Sequence, residues 1–322
     1  MPEQIRTETT KGILACLVAA TSFGLMFPVM ASALKRVDPF TFTSLRYLTA
    51  AVASLVVLLM KEGPQALRVR GESIGRAWLL GSLGFAGFGF LVFLGQQLAG
   101  RDGALMTSIM AATQPLLGVL ILAVVNRALP PLATLGFIVL SFCGVILVVT
   151  RGDIGGFLNA PQNYAANLLI LLGMTCWMIY TFGAARFATW SPLRYTTLTM
   201  CLGLTTILAI NAGLFAVNAI TVPSVADLIF IVPHVLYMGL IAGMVGVLCW
   251  NIGNKLLAPL NAALFLNMVP LVAFAVSALL GVLPTHIQIF GACVTIAALI
   301  GNNLYPRLAM RRTPTVSGRT TA

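Results

Sequence analysis

Ionisable side chains, which carry most protein chemistry, avoid the long apolar stretches of this sequence. The eight acidic residues lie in tails, in loops or at the mouth of such a stretch, and they are Glu3, Glu8, Asp38, Glu62, Glu72, Asp102, Asp153 and Asp227. An intramembrane enzyme would need paired acids with a metal, or a Ser–His dyad, inside those stretches. We therefore expect that the protein is not an enzyme and has no metal site and no cofactor.

Two basic side chains lie well inside apolar stretches. His234 is the titratable candidate for proton coupling, although a hydrogen-bonded or mouth-facing histidine is the simpler interpretation. Arg46 could bind a carboxylate. Alternatively, its long side chain could reach the membrane interface or bond to a helix end, which is the more common use of such a residue.

Neutral side chains are the remaining candidates for a binding site. Polar residues near the centres of the stretches are Thr21, Ser22, Thr113, Gln114 and Asn267, and aromatic residues near them are Phe23, Phe90, Trp177, Tyr180 and Tyr237. Amides and hydroxyls could satisfy the ammonium and carboxylate groups of a zwitterion, and the rings could contact a cation or an aromatic group. We predict that these residues line a binding cavity; the alternative is ordinary packing and hydrogen bonding between helices.

Prolines and glycines indicate where helices bend or approach closely. Pro28, Pro115 and Pro270 lie inside apolar stretches, where each leaves a backbone carbonyl without its helical partner. Gly239 and Gly243 form a packing face of small residues four positions apart. We predict that Pro28, Pro115, Gly243 and Pro270 take part in gating.

Composition places these residues in a membrane. The chain has 322 residues, 59% hydrophobic and 8% charged, whereas a soluble domain carries about 25% charged residues. Lipid as the solvent explains this balance, because the outer surface can then be as apolar as the interior. The net charge of +11 comes from short loops and tails, so we do not expect nucleic-acid binding. The six cysteines, all within apolar stretches, are interpreted as packing residues.

Ten apolar stretches are long enough to predict ten membrane-spanning helices. They cover residues 12–34, 39–60, 77–98, 104–125, 131–149, 164–185, 193–215, 226–250, 258–281 and 287–304. The first stretch could also be read as a secretory signal, but it is long for one. The connections leave no room for a soluble domain.

Lys and Arg residues predict the orientation. With a cytoplasmic N-terminus, most of them fall in the inner loops and tails, as positively charged segments do. We therefore expect both termini in the cytoplasm. The expected partners are the lipid bilayer and a small-molecule substrate, with no obligatory protein partner.

The sequence also repeats itself. The same interval separates Pro115 from Pro270 and Gly136 from Gly291, and Leu45-Arg46-Tyr47 recurs as Leu193-Arg194-Tyr195. Two halves of five helices each must face opposite ways across the membrane, because five is odd. Inverted halves around a central cavity are typical of secondary transporters that work by alternating access. A receptor or scaffold is the alternative from another class, but inversion has no direct use there.

Several motifs, in consistent order, resemble the EamA-like branch of the drug/metabolite transporter superfamily. They are Thr21-Ser22-Phe23-Gly24, Asp38-Pro39, Leu45-Arg46-Tyr47, Cys176-Trp177-Met178-Ile179-Tyr180, the stretch 239–250, Ala262-Ala263 and Pro270. The resemblance implies a first five-helix repeat over residues 12–150 and a second, inverted repeat over 164–305. The polar, basic composition of residues 306–322 predicts a disordered cytoplasmic tail. The sequence departs from the family in two places: the first-helix tryptophan is absent, and Asn126-Arg127 and Gly281-Val282 stand where members commonly have Gly-Glu.

The resemblance further implies an exporter in the bacterial cytoplasmic membrane. It is closest to exporters of amino acids, including the aromatic type, so we expect export of amino acids or similar small metabolites. The acid-free spans favour facilitated rather than proton-coupled transport. Export of drugs or other hydrophobic metabolites, with proton coupling, is the alternative.

Overall fold

Long apolar helices form the part of the chain that a computed structural model describes, residues 3–312 without 70–73, 101–102, 128, 130, 151, 154–160, 280 and 282–283. Every regular element within those residues is a helix. A helix satisfies its own backbone groups, which is required where no water is present. Large apolar side chains, among them Leu14, Val52 and Leu168, are exposed on the outer surface of the helical bundle. Such a surface is suited to contact with lipid.

The helices of the first half, in chain order, are α1 (Glu3–Ala33), α2 (Pro39–Glu62), α3 (Ile74–Leu98), α4 (Gly103–Ala111), α5 (Gln114–Asn126) and α6 (Leu132–Thr150). Those of the second half are α7 (Pro161–Gly183), α8 (Pro192–Ala216), α9 (Val225–Leu257), α10 (Pro259–Ala263), α11 (Met268–Leu279) and α12 (His286–Arg312).

Six of these helices are long and apolar enough to cross a bilayer: α1, α2, α3, α7, α8 and α9. The pair α4 and α5 adds a seventh span if it is counted as one. Shorter apolar helices lie within α6, across α10 and α11, and within α12. The described residues therefore give six or seven spans by length, and ten spans remain a prediction.

Two predicted spans are broken rather than continuous. The stretch 104–125 forms α4 and α5, which meet at an angle of 48°. Pro115 lies in the first turn of α5, where its missing N–H does no harm but where an unbroken helix could not continue. The stretch 258–281 is interrupted by a 3₁₀ turn at Leu264–Asn267, just before Pro270. By contrast, α1 continues through Pro28.

Part of the segment predicted to be a disordered tail lies within a described helix. Helix α12 extends to Arg312, so residues 306–312 are helical. The remainder of the predicted tail, 313–322, lies outside the described residues.

The two halves pack in matching pairs. Helix α1 packs against the C-terminal part of α9, and α7 packs in the same way against the C-terminal part of α3. Helices α2 and α8 pack together, as do α6 and α12. The third helix of each half also contains a π-helical segment, at Ser82–Gly87 and Tyr237–Gly246. The first residues of the two segments, Ser82 and Tyr237, are separated by the same interval as Pro115 and Pro270. The repeat therefore extends to local backbone geometry.

Equivalent caps show that one sequence match of the repeat is out of register. Asp38 caps α2 by accepting from the backbone N–H groups of Phe40 and Thr41, and Ser191 caps α8 by accepting from that of Arg194. Counted from these caps, Arg46 lies well inside its helix, whereas Arg194 lies in the first turn. The two arginines of the repeated Leu-Arg-Tyr motif are therefore not in equivalent positions.

Candidate substrate-binding site

A small pocket lies between the two halves, with a free volume of about 20 Å³, which is room for about one water molecule. Helices from both halves and the 3₁₀ turn form its wall, and the helices are α1, α2, α3, α4, α5, α7, α9 and α11. The lining residues are Phe23, Met26, Phe27, Arg46, Tyr47, Phe88, Ala111, Gln114, Trp177, Ala242, Val247, Leu266 and Val269. Two pairs in this wall, Ala111 with Leu266 and Gln114 with Val269, are separated by the interval of the repeat. Equivalent positions of the two halves thus face the same space.

Trp177 organises the aromatic side of the pocket. The Phe23 ring meets it edge-on, with centroids 5.7 Å apart, and the Phe88 ring lies at 5.4 Å. Trp250 follows at 6.5 Å. A wall of this kind can contact the apolar or aromatic body of a ligand and can present a π-face to a cation.

Arg46 supplies a positive charge to the same pocket. Its side chain is only 2% exposed, and it lies over the ring of Tyr47 at 4.2 Å and near that of Phe93 at 4.7 Å. One guanidinium nitrogen, Nη2, donates to the Tyr47 hydroxyl, and Nη1 lies 3.6 Å from the sulfur of Met26. The side chain is therefore turned into the bundle, and among the described residues it makes no bond to a helix end.

The polar wall of the pocket is otherwise neutral. Gln114 is buried, and its side-chain oxygen finds no hydrogen-bond donor among the described residues. None of the described lining residues carries a carboxylate. Among the residues that the structure describes, no group of three or more His, Cys, Asp or Glu side chains could hold a metal ion.

Three of the residues predicted to line a cavity are in the wall of this pocket: Phe23, Gln114 and Trp177. Thr113 is adjacent but buried at the break between α4 and α5, where its hydroxyl donates to the Met110 carbonyl at 2.7 Å. Tyr180 lies one turn beyond Trp177, with ring centroids 5.2 Å apart.

The other predicted lining residues lie outside the pocket wall. Thr21 is exposed on the outer surface of α1. The Ser22 hydroxyl donates to Val18 of its own helix, and the Ser22 carbonyl accepts from Tyr237 at 2.9 Å. Phe90 packs against Phe40 with centroids 4.9 Å apart.

Asn267 and the predicted gating residues are also placed by the structure. Asn267 ends the 3₁₀ turn before α11, and its buried side-chain oxygen has no donor among the described residues. Pro28, Pro115 and Pro270 are buried. Gly243 lies in the π-helical segment of α9, where an added Cβ would be 2.8 Å from the Met238 carbonyl oxygen and 3.0 Å from Ala50.

Sequence reasoning left several lining residues out. Met26, Phe27, Tyr47 and Phe88 lie beside residues that were chosen, and their types are common in any apolar helix. Arg46 was recognised as unusual, but the more common interfacial role was favoured for it. The sequence does show that Arg46 lies well inside the stretch that forms α2, which argued against an interfacial role. It does not show that Tyr47 and Phe93 pack around the side chain.

A second, larger cavity lies near the side of the bundle where α1 begins, which we call the N-terminal face. It has a volume of about 530 Å³ and is bounded by the end of α7, the start of α8 and the end of α9, with Trp190, Tyr195, Asn251 and Lys255 in its wall. Gly12 of α1 faces Leu257 of α9 on this side. The cavity shares no lining residue with the central pocket.

An aromatic layer separates the cavity from the pocket. Tyr180 stacks on Tyr195 with ring centroids 5.2 Å apart, and its hydroxyl accepts from Asn251 at 2.9 Å. The indole N–H of Trp250 donates to Thr181 at 3.0 Å. These bonds join α7, α8 and α9 into one barrier.

The opposite face, where α1 ends, is held by polar contacts between α1 and α9. A ring nitrogen of His234 lies 3.0 Å from the Ser32 hydroxyl, and Arg36 forms an ion pair with Asp227 at 3.6 Å. Deeper on the same side, the buried Gln96 amide donates to the Phe27 carbonyl at 2.8 Å. His234 therefore takes part in a hydrogen bond between helices, which is one form of the simpler interpretation.

Together, the apolar helices, the paired halves and the pocket between them define a multi-pass membrane transporter. The chain matches the EamA-like transporter family over residues 10–150 and 165–304, and it belongs to that family. This confirms the resemblance seen in the sequence at the level of the family.

Similar proteins agree with this assignment. The chain is 35% identical over 298 residues to "Uncharacterized transporter YrdR" of Bacillus subtilis (strain 168), covering 92% of each chain. It is 27% identical over 265 residues to "Uncharacterized transporter YyaM" of the same organism, covering 82% of this chain and 84% of the relative. A solved structure titled "Crystal structure of protein" has the same fold, with a TM-score of 0.63, 21% identity and coverage of 96% of this chain and 99% of that chain.

Proposed function

We propose that this transporter exports amino acids or similar small metabolites by alternating access, with the central pocket as its binding site. The observation that carries the proposal is that repeat-equivalent residues of the two halves, Ala111 with Leu266 and Gln114 with Val269, line one pocket. If the halves are inverted across ten spans, each half can adopt the conformation of the other, and the pocket then faces one side of the membrane at a time.

The two ends of the bundle support the same mechanism. The cavity of about 530 Å³ lies at the N-terminal face, and the Lys and Arg distribution predicts that this face is cytoplasmic. Contacts such as those of Ser32 with His234 and of Gln96 with Phe27 hold the opposite face together. The arrangement corresponds to a state whose open cavity faces the cytoplasm but whose pocket is still closed to it, because the layer of Tyr180, Tyr195 and Trp250 must move to admit substrate.

Facilitated transport follows from the chemistry of the pocket. Proton-coupled carriers commonly use a buried carboxylate, and the described lining residues have none. His234 is bonded to Ser32 at the far end of α9, away from the pocket. We therefore propose that the substrate gradient alone drives net movement.

Export of drugs or other hydrophobic metabolites is the second candidate. The aromatic wall formed by Phe23, Phe88 and Trp177 favours it, since such rings bind flat apolar molecules without requiring an amino-acid head group.

Purified protein in liposomes tests the proposal with a panel of labelled amino acids, with and without a pH gradient. We expect saturable uptake of at least one amino acid at rates that do not depend on the gradient. Trp177→Ala should reduce the apparent affinity about tenfold or more, because it removes the ring that Phe23 and Phe88 contact. Trp78→Ala is the matched control, since Trp78 is 45% exposed on the outer surface of α3.

Three results would count against parts of this proposal. Uptake that requires a pH gradient would contradict facilitation. Unchanged affinity in Trp177→Ala would remove Trp177 from the site. Uptake of hydrophobic drugs in place of every amino acid would favour the second candidate.

A further inference from the structure

The charge of Arg46 is poorly compensated by the residues around it. Its exposed fraction is 2%, and a cation inside a membrane protein is costly unless it is paired or bonded. Among the described residues, the guanidinium donates to the Tyr47 hydroxyl and to the Met26 sulfur. A thioether sulfur is a weak acceptor. The Nε–H group is buried and finds no acceptor within the described part of the chain.

Ring contacts offset only part of this cost. The guanidinium lies 4.2 Å from the Tyr47 centroid and 4.7 Å from that of Phe93. Cation–π contacts of this kind are weaker than the hydrogen bonds of a desolvated, fully paired guanidinium. The rings keep the guanidinium in place but leave its donors available for an anion.

Arg194 shows how a structural arginine is satisfied in this protein. Its side-chain Nε donates to the carbonyl of Ala66 at 2.8 Å, and Nη2 donates to that of Arg68 at 3.0 Å. It ties the start of α8 to the loop after α2. Within the described part of the chain Arg46 makes no bond to a backbone carbonyl, so helix-to-loop bridging does not explain its position.

The position of Arg46 in the pocket wall also favours a role in binding. Arg46 shares the wall with Trp177 and Gln114, whose side-chain oxygen is also without a donor. One cation, one neutral acceptor and a set of aromatic rings complement a molecule with a carboxylate, a hydrogen-bond donor such as an ammonium group, and an apolar body.

We propose that Arg46 binds the carboxylate of the transported molecule, and that the substrate class is therefore small carboxylates with an apolar or aromatic body, α-amino acids among them. This inference rests on the proposed function, because it takes the central pocket as the transport site. The pocket has room for only about one water molecule in the present state. Binding must therefore coincide with movement of the rings beside Arg46.

Competition with wild-type protein tests the substrate class without any variant. Transport of a labelled amino acid into liposomes is inhibited with matched pairs, phenylalanine against phenylalaninamide and leucine against leucinamide. We expect each acid to inhibit at a concentration at least about tenfold lower than its amide, the loss that removing one charge-assisted interaction produces. Equal inhibition by acid and amide would overturn the proposal.

Variants then assign the preference to Arg46. Arg46→Gln should abolish the difference between acid and amide, and Arg46→Lys should restore part of it because the charge is kept. Lys35→Gln is the control, since it removes a cation that is exposed beyond the end of α1. An acid preference that persists in Arg46→Gln would also overturn the proposal.

Failure of the proposed function has a different signature. Wild-type protein that gives no saturable transport of any compound in the panel would contradict the function, and the inference with it. Saturable transport that discriminates acid from amide to the same degree in wild type and Arg46→Gln would contradict only the role of Arg46.

Discussion

Asn251 shows at the scale of one residue how polar side chains join helices in this bundle. Its amide nitrogen donates to the Tyr180 hydroxyl at 2.9 Å and to the Thr196 hydroxyl at 2.8 Å. One side chain of α9 thus bonds to both α7 and α8 at the barrier below the pocket. Gln96, the equivalent residue at the interval of the repeat, bonds instead to a backbone carbonyl of α1.

Asn251→Ala should therefore destabilise the protein measurably. Two buried hydroxyls lose a partner, which costs about 1–3 kcal/mol, and we expect the thermal unfolding temperature in detergent to fall by a few degrees. Asn261→Ala is the control, because the exposed Asn261 donates to the Leu257 carbonyl one turn away and, among the described residues, joins no other helix. Equal unfolding temperatures for the two variants would contradict this role for Asn251.

At the scale of the element, α9 is organised around a π-helical segment against which α2 packs. Gly239 and Gly243 lie in that segment, and an added Cβ at Gly239 would be 2.9 Å from the Thr49 side chain. Helices in a membrane associate through close packing of small residues, since lipid provides no hydrophobic driving force between them. A π-helical segment at such a contact is a place where a helix can change its bend.

Gly243→Leu should block transport while leaving the protein folded. The added side chain has no space beside Met238 and Ala50, so we expect α9 to be held in one bend and one state to be trapped. Liposome uptake measures the loss, and size-exclusion chromatography measures folding. Gly213→Leu is the matched control in α8, where nothing lies within 4 Å of the added Cβ.

Uptake at the wild-type rate by Gly243→Leu would remove the gating role of this glycine. If Gly213→Leu were equally inactive, the effect would come from the leucine itself.

At the scale of the whole molecule, contacts on the two faces predict the topology. Lys255 donates to the Trp190 carbonyl at 3.0 Å on the N-terminal face, and Arg36 pairs with Asp227 on the opposite face. These contacts fit helices that run alternately in opposite directions, so that α1 begins and α2 ends on the same face. The Lys and Arg distribution then predicts that the N-terminal face is cytoplasmic.

Single cysteines in a background without native cysteines test this orientation in intact cells. Cysteines in place of the exposed residues Lys35 and Asn218 should react with a membrane-impermeant maleimide before permeabilisation. Cysteines in place of Lys61 and Ala188 should react only afterwards. The reverse pattern would place the termini outside, and labelling of all four before permeabilisation would contradict the alternating order.

Much of the architecture could be predicted from the sequence. Apolar stretches with few charges determined a helical membrane protein, and the interval between Pro115 and Pro270 determined that the halves are related. Among the described acidic residues, Asp38 caps α2, Glu62 ends it, and Asp227 lies in the first turn of α9. These properties depend on composition and order along the chain, which the bilayer converts directly into helices.

Only the tertiary structure decided which side chains meet. Thr21 points outward although it is polar, Tyr180 belongs to a barrier rather than to the pocket wall, and Arg46 turns inward between Tyr47 and Phe93. The physical reason is that lipid and protein interior are both apolar. Along a spanning helix, the residues that face lipid and those that face protein therefore differ little in polarity. Which residues face the pocket is decided by how the helices pack.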